Sequence, residues 1–341
     1  MKVAIEALGV HRYGGGRTAT INLLQSIFSI DKQNQYLLVL SQPEPELHFE
    51  NVYQHVFGIK NRFITRIYAQ CTLPILTQRY DLVHFTKNLG VFGLRVPYII
   101  TVYDVAPLIY PNLFPKIDVL YWRYLQRLTL NKASKIIAIS QQTANDIQLF
   151  FKIKPSKIKV IYPSHSHNFY PRSKNEVEEV KSKYRLPDQY ILHVGRIDPR
   201  KNIPLLIRAF SIFCRQTNFH GTLVLVGEEY RKRPDKAVYD CILRLNLQDR
   251  VQLLGAIPDI DLPALYTGAT MAVFPSIHEG FGIAALEALA CGTPLIVNRA
   301  GAITEVVGDA ALIMERNTPE YLADLMTFLW NNPSVRRDLQ K

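Results

Sequence analysis

The sequence predicts an α/β protein of two Rossmann-like domains, with parallel sheets facing each other across a cleft. Three observations carry this. The chain has 341 residues, more than one ordinary hydrophobic core accommodates. Short β-branched runs alternate with longer amphipathic segments through both halves, and mostly apolar strands separated by helices indicate parallel sheets covered on both faces. The alternation pauses once, over YPSHSHNFYPRSKNEVEE, before it restarts at Tyr190. That stretch is rich in Pro, Ser and charge, so the domain boundary falls within residues 163–186. The first domain is placed at 1–165 and the second at 166–341.

In chain order, the first-half strands are expected at KVAIEAL, YLLVLS, LVHF, PYIITVYD and KIIAIS. Those of the second half are expected at YILHV, TLVLV, VQLL, MAVF and PLIV. TATINLLQSIF has helical spacing, with apolar residues at Ile21, Leu24 and Phe28, and NIPLLIRAFSIFC makes a second helix after Lys201. In KIDVLYWRYLQRLTLNKASK, Ile117, Leu120, Tyr124 and Leu128 form one apolar stripe, with Arg123, Arg127 and Lys135 elsewhere. Packing of this stripe into the core is expected ahead of docking on a membrane. Ligands of doubly wound sheets sit at the carboxyl ends of the strands, so the expected site is the cleft between the domains.

Composition narrows the function classes. With 48% hydrophobic and 20% charged residues, the chain is a folded protein, not a disordered one. No apolar run approaches the roughly 18 residues a membrane span needs. The start, MKVAIEALGV, carries Glu6 inside a short apolar run, which suits a buried first strand better than a secretory signal. Cys71, Cys214, Cys241 and Cys291 form no CxxC pair, so reduced thiols in a cytoplasmic compartment are expected. Residues 1–170 hold 19 Lys and Arg against 9 Asp and Glu, and residues 171–341 hold 21 against 20. The excess of cations lies on the first half and points to an anionic partner, such as a membrane surface, as readily as to a solvated basic face.

Three stretches carry chemistry. MKVAIEALGVHRYGGGRTATINLL runs from a strand into Gly14, Gly15 and Gly16 and then a helix. Glycines let backbone approach a phosphate, and the helix start supplies N–H groups, although a tight turn without ligand is an equal alternative. In YILHVGRIDPRKNIPLL, Gly195 and Arg196 follow a strand and Lys201 precedes a helix, placing two cations where they can grip a diphosphate. In MAVFPSIHEGFGIAALEALACGTPLIV, Glu279 sits in a loop after a strand and Glu287 lies about one turn inside a helix. Gly280 and Gly282 leave the first-turn N–H groups uncovered, and carboxylates accept paired hydrogen bonds from vicinal diols. A nucleoside-diphosphate sugar presents both phosphate and diols. An idle charge at Glu287, among Ala284, Leu286, Ala288 and Leu289, would be poorly placed.

PSIHEGFGIAALEALACGTPLI, with its Glu-x7-Glu spacing, resembles the donor-site signature of glycosyltransferase family 4, the retaining group 1 enzymes. HVGRIDPRKNIPLLIRAF, VQLLGAIPDIDLPALYTGATMAVFPS and AGAITEVVGDAAL resemble its other segments, in order. GGGRTATINLL and DLVHFTKN…VPYIITVYDVAPLIYP resemble its acceptor-domain landmarks. The resemblance runs from about residue 2 to about residue 330 and implies the GT-B architecture, with donor bound mainly to the second domain and acceptor to the first. It implies that Arg196 and Lys201 hold the donor diphosphate, that Glu287 binds ribose hydroxyls and that Glu279 binds the transferred sugar. Gly195, Gly280, Phe281 and Gly282 would lie near sugar and phosphate, and Gly15 and Gly16 would approach from the other domain. Asp104 joins the catalytic set, and His84 and Tyr103 are placed on the acceptor side, with a buried structural histidine an equal reading of His84. No metal and no cofactor are expected, since the only DxD-like match, Asp259-Ile-Asp261, lies in a polar loop.

The sequence departs from that pattern at Tyr103, where relatives often carry His, and in IYPSHSH, which lacks the usual hinge Asn-Gly. The resemblance further implies helices after SVRRDLQK that return to the first domain. The function implied is transfer of a hexose, mannose from a GDP-linked donor first and UDP-sugars next, to a saccharide or lipid-linked acceptor in polysaccharide biosynthesis. It would act in the cytoplasm, peripherally at the inner membrane face. A catalytically idle nucleotide-sugar or glycan-binding protein is the alternative, motivated by Tyr103 and the short end. A hydrolase using Glu279 and Glu287 as acid and base is opposed by the neighbouring Arg196 and Lys201. A nucleic-acid binder explains the charge and none of the motifs.

Overall fold

The computed structural model describes residues 1–11, 14–59, 61–88, 90–229 and 235–340. The chain divides into two compact units, Met1–Ser164 and His165–Lys341.

Among the described residues the first unit holds a seven-stranded parallel sheet. Its strands are β1 (Lys2–Glu6), β2 (Gln35–Leu40), β3 (Val52–Val56), β4 (Leu82–Phe85), β5 (Tyr98–Val102), β6 (Lys135–Ala138) and β7 (Ile158–Val160). They lie in the order β3-β2-β1-β4-β5-β6-β7. The order reverses between β1 and β4, which pair in parallel with Glu6 opposite Phe85. Successive residues of β1 feed opposite faces. Ala4 joins a core with Leu37, Val83, Phe85 and Ile100, and Ile5 joins one with Leu24, Phe28 and Leu38. Helix α1 (Gly15–Ile30) covers that second face with Ile21, Leu24 and Phe28 buried, as the helical spacing predicts.

The second unit repeats the plan with β8 (Tyr190–Val194), β9 (Thr222–Val226), β10 (Val251–Gly255), β11 (Met271–Phe274), β12 (Leu295–Asn298) and β13 (Leu312–Met314). These run in the order β10-β9-β8-β11-β12-β13, so the reversal falls between β8 and β11. All pairings are parallel, and both faces are apolar. Ile191, Leu223 and Val273 pack on one side, with Leu192, Val224 and Phe274 on the other. The long amphipathic helix Ile203–Gln216 covers the first of these faces through Leu206, Ile207 and Phe210.

Three strands escape the sequence pattern, and each is a sheet edge. VYQHV (β3), IKV (β7) and LIM (β13) pair on one side only and are incompletely buried along their length. A strand that borders solvent needs no continuous apolar run, so it leaves a weak signal.

The stripe Ile117–Leu120–Tyr124–Leu128 overturns its expectation. The segment is helical from Lys116 through Lys132, with a π-helical stretch at Tyr121–Gln126. The face turned to the core carries Trp122, Gln126, Thr129 and Leu130, all buried, and Trp122 packs 6.2 Å from the Phe151 ring. The predicted stripe faces away, at 68, 52, 60 and 51% exposure. The helix has two apolar faces, and periodicity alone does not say which of them a sheet covers.

Candidate active site

In the second unit the strand order reverses between β8 and β11, and the carboxyl ends of strands at such a reversal are the usual seat of a ligand. β8 is buried throughout and ends at Val194. Gly195 N–H then donates to Val226 O at 2.8 Å and Ile197 N–H to Glu228 O at 3.1 Å, tying this connection to the end of β9 and fixing where Arg196 leaves the sheet. Pro199–Lys201 forms one 3-10 turn, capped by Asp198 Oδ1 accepting from Arg200 N–H at 2.9 Å. Asn202, left-handed at φ 54°, redirects the chain into Ile203–Gln216. Lys201 therefore stands between a cap and a turn, and its side chain folds back along Gly195. A Cβ at Gly195 would lie 3.4 Å from Lys201 Cε.

The β11 connection, SIHEGFG, meets this turn. Ile277 N–H donates to Arg200 O at 2.8 Å. Lys201 Nζ donates to Glu279 Oε1 at 2.6 Å, and Ser276 Oγ donates to the same oxygen at 2.6 Å. Burial pushes the Glu279 carboxyl up. The Lys201 charge and the hydrogen bonds from Lys201 and Ser276 outweigh it, so the net position is below the ordinary carboxylate range. Glu279 is thus an ionised carboxylate paired to an ammonium that has two further N–H groups for other acceptors.

The main chain of Glu279 is held from behind. Ala302 N–H donates to Glu279 O at 2.9 Å, and Gly301 has φ 61°. A Cβ at Gly301 would lie 2.2 Å from that carbonyl oxygen. Both the conformation and the contact exclude a larger residue. We expect Gly301→Ala to destabilise the protein by about 2–3 kcal/mol, read from urea unfolding, and to weaken any ligand that needs Glu279. Parent-like stability would show that the loop can move aside.

Gly282 has φ 100° and is the cap residue of the helix Ile283–Ala290. Its conformation turns the loop into the helix, and its carbonyl accepts from Ala285 N–H at 2.9 Å and Leu286 N–H at 3.2 Å, so the first-turn N–H groups without an intrahelical acceptor are those of Ile283 and Ala284. Glu287 lies one turn in. It is 5% exposed, and its Oε2 accepts from the Tyr266 hydroxyl at 3.3 Å. Burial pushes its carboxyl up to about 8. The sequence presents it as a charged hydroxyl acceptor, whereas its burial in the fold holds it as a carboxylic acid at neutral pH. Glu279 and Glu287 are therefore two carboxyl groups in opposite states, set by what each is buried against.

In the first unit, Gly15 and Gly16 open α1 after the capping Gly14. Thr20 Oγ1 donates to Gly16 O at 2.7 Å, and the Tyr103 hydroxyl lies 2.8 Å from Thr20 Oγ1. Lys87, just past β4, runs under the same turn, with its Cε 2.9 Å from where a Gly16 Cβ would stand. Tyr103 is thus a bracing residue of the glycine turn, and burial pushes its phenol up to about 12. Asp104 Oδ1 accepts from Ala106 N–H at 3.0 Å and shapes the turn after β5. His84 is buried, with Nε2 2.8 Å from Thr101 Oγ1, and burial pushes it down to about 4, so it is neutral. Tyr103, Gly16 and Lys87 come together, whereas His84 is engaged between β4 and β5.

Four further residues support these sites without having been assigned a role there from the sequence. Ser276 and Tyr266 satisfy the two glutamates, and His193, on β8 below Gly195, bonds through Nδ1 to Val273 O at 2.8 Å. Glu6, at the end of β1, accepts from Leu8 N–H at 2.8 Å and is pushed by burial to about 7. Ser276 was open to discovery as the hydroxyl three residues before Glu279. Tyr266 and His193 lie in apolar runs and are indistinguishable there from core.

Comparison with known proteins agrees in family and fold. Residues 175–341 match the family described as Glycosyl transferases group 1, and residues 31–167 match Glycosyltransferase Family 4. O-antigen chain mannosyltransferase B of Escherichia coli is 33% identical over 245 residues, covering 70% of this chain and 64% of that protein. O-antigen chain mannosyltransferase RfbU of Salmonella typhimurium is 30% identical over 214 residues, covering 62% of this chain and 55% of that protein. The matched region spans less than two thirds of either relative. Anabaena HepE, solved in complex with UDP and glucose, superposes with a TM-score of 0.80 at 20% identity, over 100% of this chain and 94% of that one.

Proposed function

Because the chain belongs to glycosyltransferase family 4, the group 1 enzymes, we propose that it is a metal-independent, retaining hexosyltransferase using a nucleotide sugar. The single observation that carries this is the Lys201–Glu279 pair at the β8–β11 reversal, beside the start of helix Ile283–Ala290 with Glu287 buried in it. Lys201 and Arg196 would neutralise the leaving diphosphate together with helix N–H groups, which is the charge the reaction must stabilise as the sugar becomes oxocarbenium-like. Glu279, already ionised, would accept hydroxyls of the transferred sugar. Glu287 would take the ribose diol, and Gly195, Gly280, Phe281 and Gly282 would let phosphate and sugar approach the backbone. Gly15, Gly16 and Asp104 would contribute from the first unit.

Two glutamates with different protonation invite a hydrolase reading, but Glu279 is committed to the Lys201 ammonium and Glu287 accepts from the Tyr266 hydroxyl. The donor is proposed as GDP-mannose, supported by the mannosyltransferase names of the relatives, with UDP-hexoses next because HepE is seen with UDP and glucose. The acceptor is proposed as a saccharide or lipid-linked saccharide. The four cysteines are free thiols, which supports action in a reducing, cytoplasmic setting, and the basic first unit supports contact with an anionic surface.

A thermal-shift screen against GDP-, UDP- and ADP-sugars tests the reading, repeated with Glu287→Ala and in the presence of EDTA. One nucleotide class is expected to stabilise the parent by several degrees, with EDTA making no difference and the variant losing most of the shift. Equal shifts in parent and variant would remove Glu287 from the site, and loss with EDTA would end metal independence.

A further inference from the structure

We propose that His193 is a positioning residue for Lys201. Its Nε2 accepts a hydrogen bond from the Lys201 ammonium when a donor sugar engages Glu279 and the lysine turns to the diphosphate. This deepens the donor-site reading and rests on it, naming what holds the lysine once its carboxylate is taken.

The tautomer is fixed by the fold. His193 lies on β8 and is 0% exposed. Its Nδ1 stands 2.8 Å from Val273 O, a carbonyl that can only accept, so Nδ1 carries the proton. Burial pushes the imidazole down to about 4, which keeps it neutral at physiological pH and leaves Nε2 a bare acceptor. Among the described residues this nitrogen has no hydrogen-bond partner. It is turned towards Gly195. Nε2 lies 3.3 Å from where a Gly195 Cβ would stand, and Lys201 Cε and Nζ lie 3.4 and 3.7 Å from the same point. Gly195 thus has no side chain to part the acceptor from the ammonium. A buried acceptor without a donor is costly, and it is accounted for when a second arrangement of the site supplies one.

The charges that face His193 are Lys201, Glu279 and Asp198. Of these only Lys201 can donate, since Asp198 accepts from Arg200 N–H and Glu279 is ionised. In the structure Lys201 Nζ gives one N–H to Glu279 Oε1, an oxygen that Ser276 Oγ also bonds. A sugar hydroxyl arriving at Glu279 competes for that carboxylate. A lysine released with no other acceptor would spread over several rotamers, and fixing it again costs entropy. One N–H on His193 Nε2 fixes it and leaves the others for phosphate. A neutral imidazole suits this role better than a second carboxylate. It holds the ammonium without cancelling its charge, so the whole positive charge meets the diphosphate. The Phe274 ring, 5.4 Å from the imidazole between centroids, packs against it and helps to keep its orientation.

NMR of isotope-labelled histidine ring nitrogens tests this without any nucleotide, and the signals lost in His193→Gln identify the residue. Glu279→Ala removes the competing carboxylate. The His193 Nε2 resonance should then move upfield as it accepts from Lys201, with Nδ1 unmoved, and should return in Glu279→Ala with Lys201→Ala. An unmoved Nε2 would overturn the proposal, and so would movement of both nitrogens, which would mean protonation. Binding is the second measurement, with GDP compared against GDP-mannose and UDP against UDP-glucose. His193→Leu should bind the nucleoside diphosphate within about twofold of the parent and the matching sugar nucleotide about tenfold more weakly. His193→Gln, which can place an oxygen near Nε2, should restore most of that loss. Parent-like melting temperatures would show that the variants are folded. Equal weakening for diphosphate and sugar nucleotide, or none, would overturn the proposal and leave His193 as a packing residue bonded to Val273. A parent that binds neither pair fails the donor reading and this inference with it. An unmoved Nε2 in a parent that does bind fails this inference alone.

Discussion

Lys201→Ala should lower nucleoside diphosphate release by about a hundredfold to a thousandfold, the range seen when a preorganised stabiliser of developing charge is removed. The same change should destabilise the protein. Lys201 and Glu279 are only 15 and 12% exposed at their side chains and meet at 2.6 Å. Deleting one partner strands the other, at a cost of roughly 3 kcal/mol for a buried pair. The two effects separate in the double variant. Lys201→Ala with Glu279→Gln removes both charges and leaves a side chain that Ser276 can still bond. Most of the lost stability should return in urea unfolding while diphosphate release stays depressed. Recovery of activity along with stability would mean that Lys201 only neutralises Glu279 and never acts on a phosphate. Full activity in the single variant would remove Lys201 from the chemistry altogether.

Glu287→Gln should abolish most nucleotide binding and, above pH 7, make the protein more stable. The sign follows from the carboxyl's position at about 8 in the folded chain against an ordinary value of 4.5. The folded state holds a proton that the unfolded state has released between these values, so stability falls as pH rises from about 4.5 through about 8. The contribution is fully present below 4.5 and lost above 8. Each pH unit inside that window is worth at most about 1.4 kcal/mol. Glu6, raised to about 7, bends the parent curve in the same direction, so the quantity to measure is the difference between variant and parent, which cancels Glu6. Glutamine keeps an oxygen for Tyr266 and has nothing to titrate. The variant should therefore show a flatter stability curve and exceed the parent at pH 8.

The binding half of the prediction rests on the same proton. A ribose diol donates two hydrogen bonds, which favour the carboxylate, so donor binding at pH 7 should release up to one proton from Glu287. Calorimetry in buffers of different ionisation heat reads that number directly. Loss of two hydrogen bonds to a charged acceptor is worth about 3 kcal/mol or more, a hundredfold in affinity. No proton release in the parent, with unchanged affinity in Glu287→Gln, would leave Glu287 as a structural acid bonded to Tyr266.

These two glutamates also show how far the sequence reaches. Their spacing, the glycines between them and the cations after YILHV are all visible, and they fall in the connections that follow β8 and β11, with Glu287 inside the helix Ile283–Ala290. Their states were not visible. Glu279 is ionised because Lys201, 78 positions away, and Ser276 meet it. Glu287 is neutral because its burial outweighs the hydrogen bond from Tyr266, 21 positions earlier, which by itself favours the carboxylate. Tyr103, a departure from the family pattern, fills its place by bonding Thr20 at the glycine turn. A side chain 83 positions distant makes that contact, and no local pattern announces it.

The sequence by itself determined the α/β alternation, the central strands and the placement of glycines and cations at their ends. Those features are local: side-chain period, turn chemistry and helix starts are written within a few residues. Tertiary packing settles the three edge strands β3, β7 and β13, the opposite protonation of Glu279 and Glu287, and the outward turn of Ile117, Leu120, Tyr124 and Leu128. Each of these depends on what covers a group. Desolvation and pairing come from elements distant in the chain, so a carboxyl's charge or a helix's buried face is fixed only once those elements have packed.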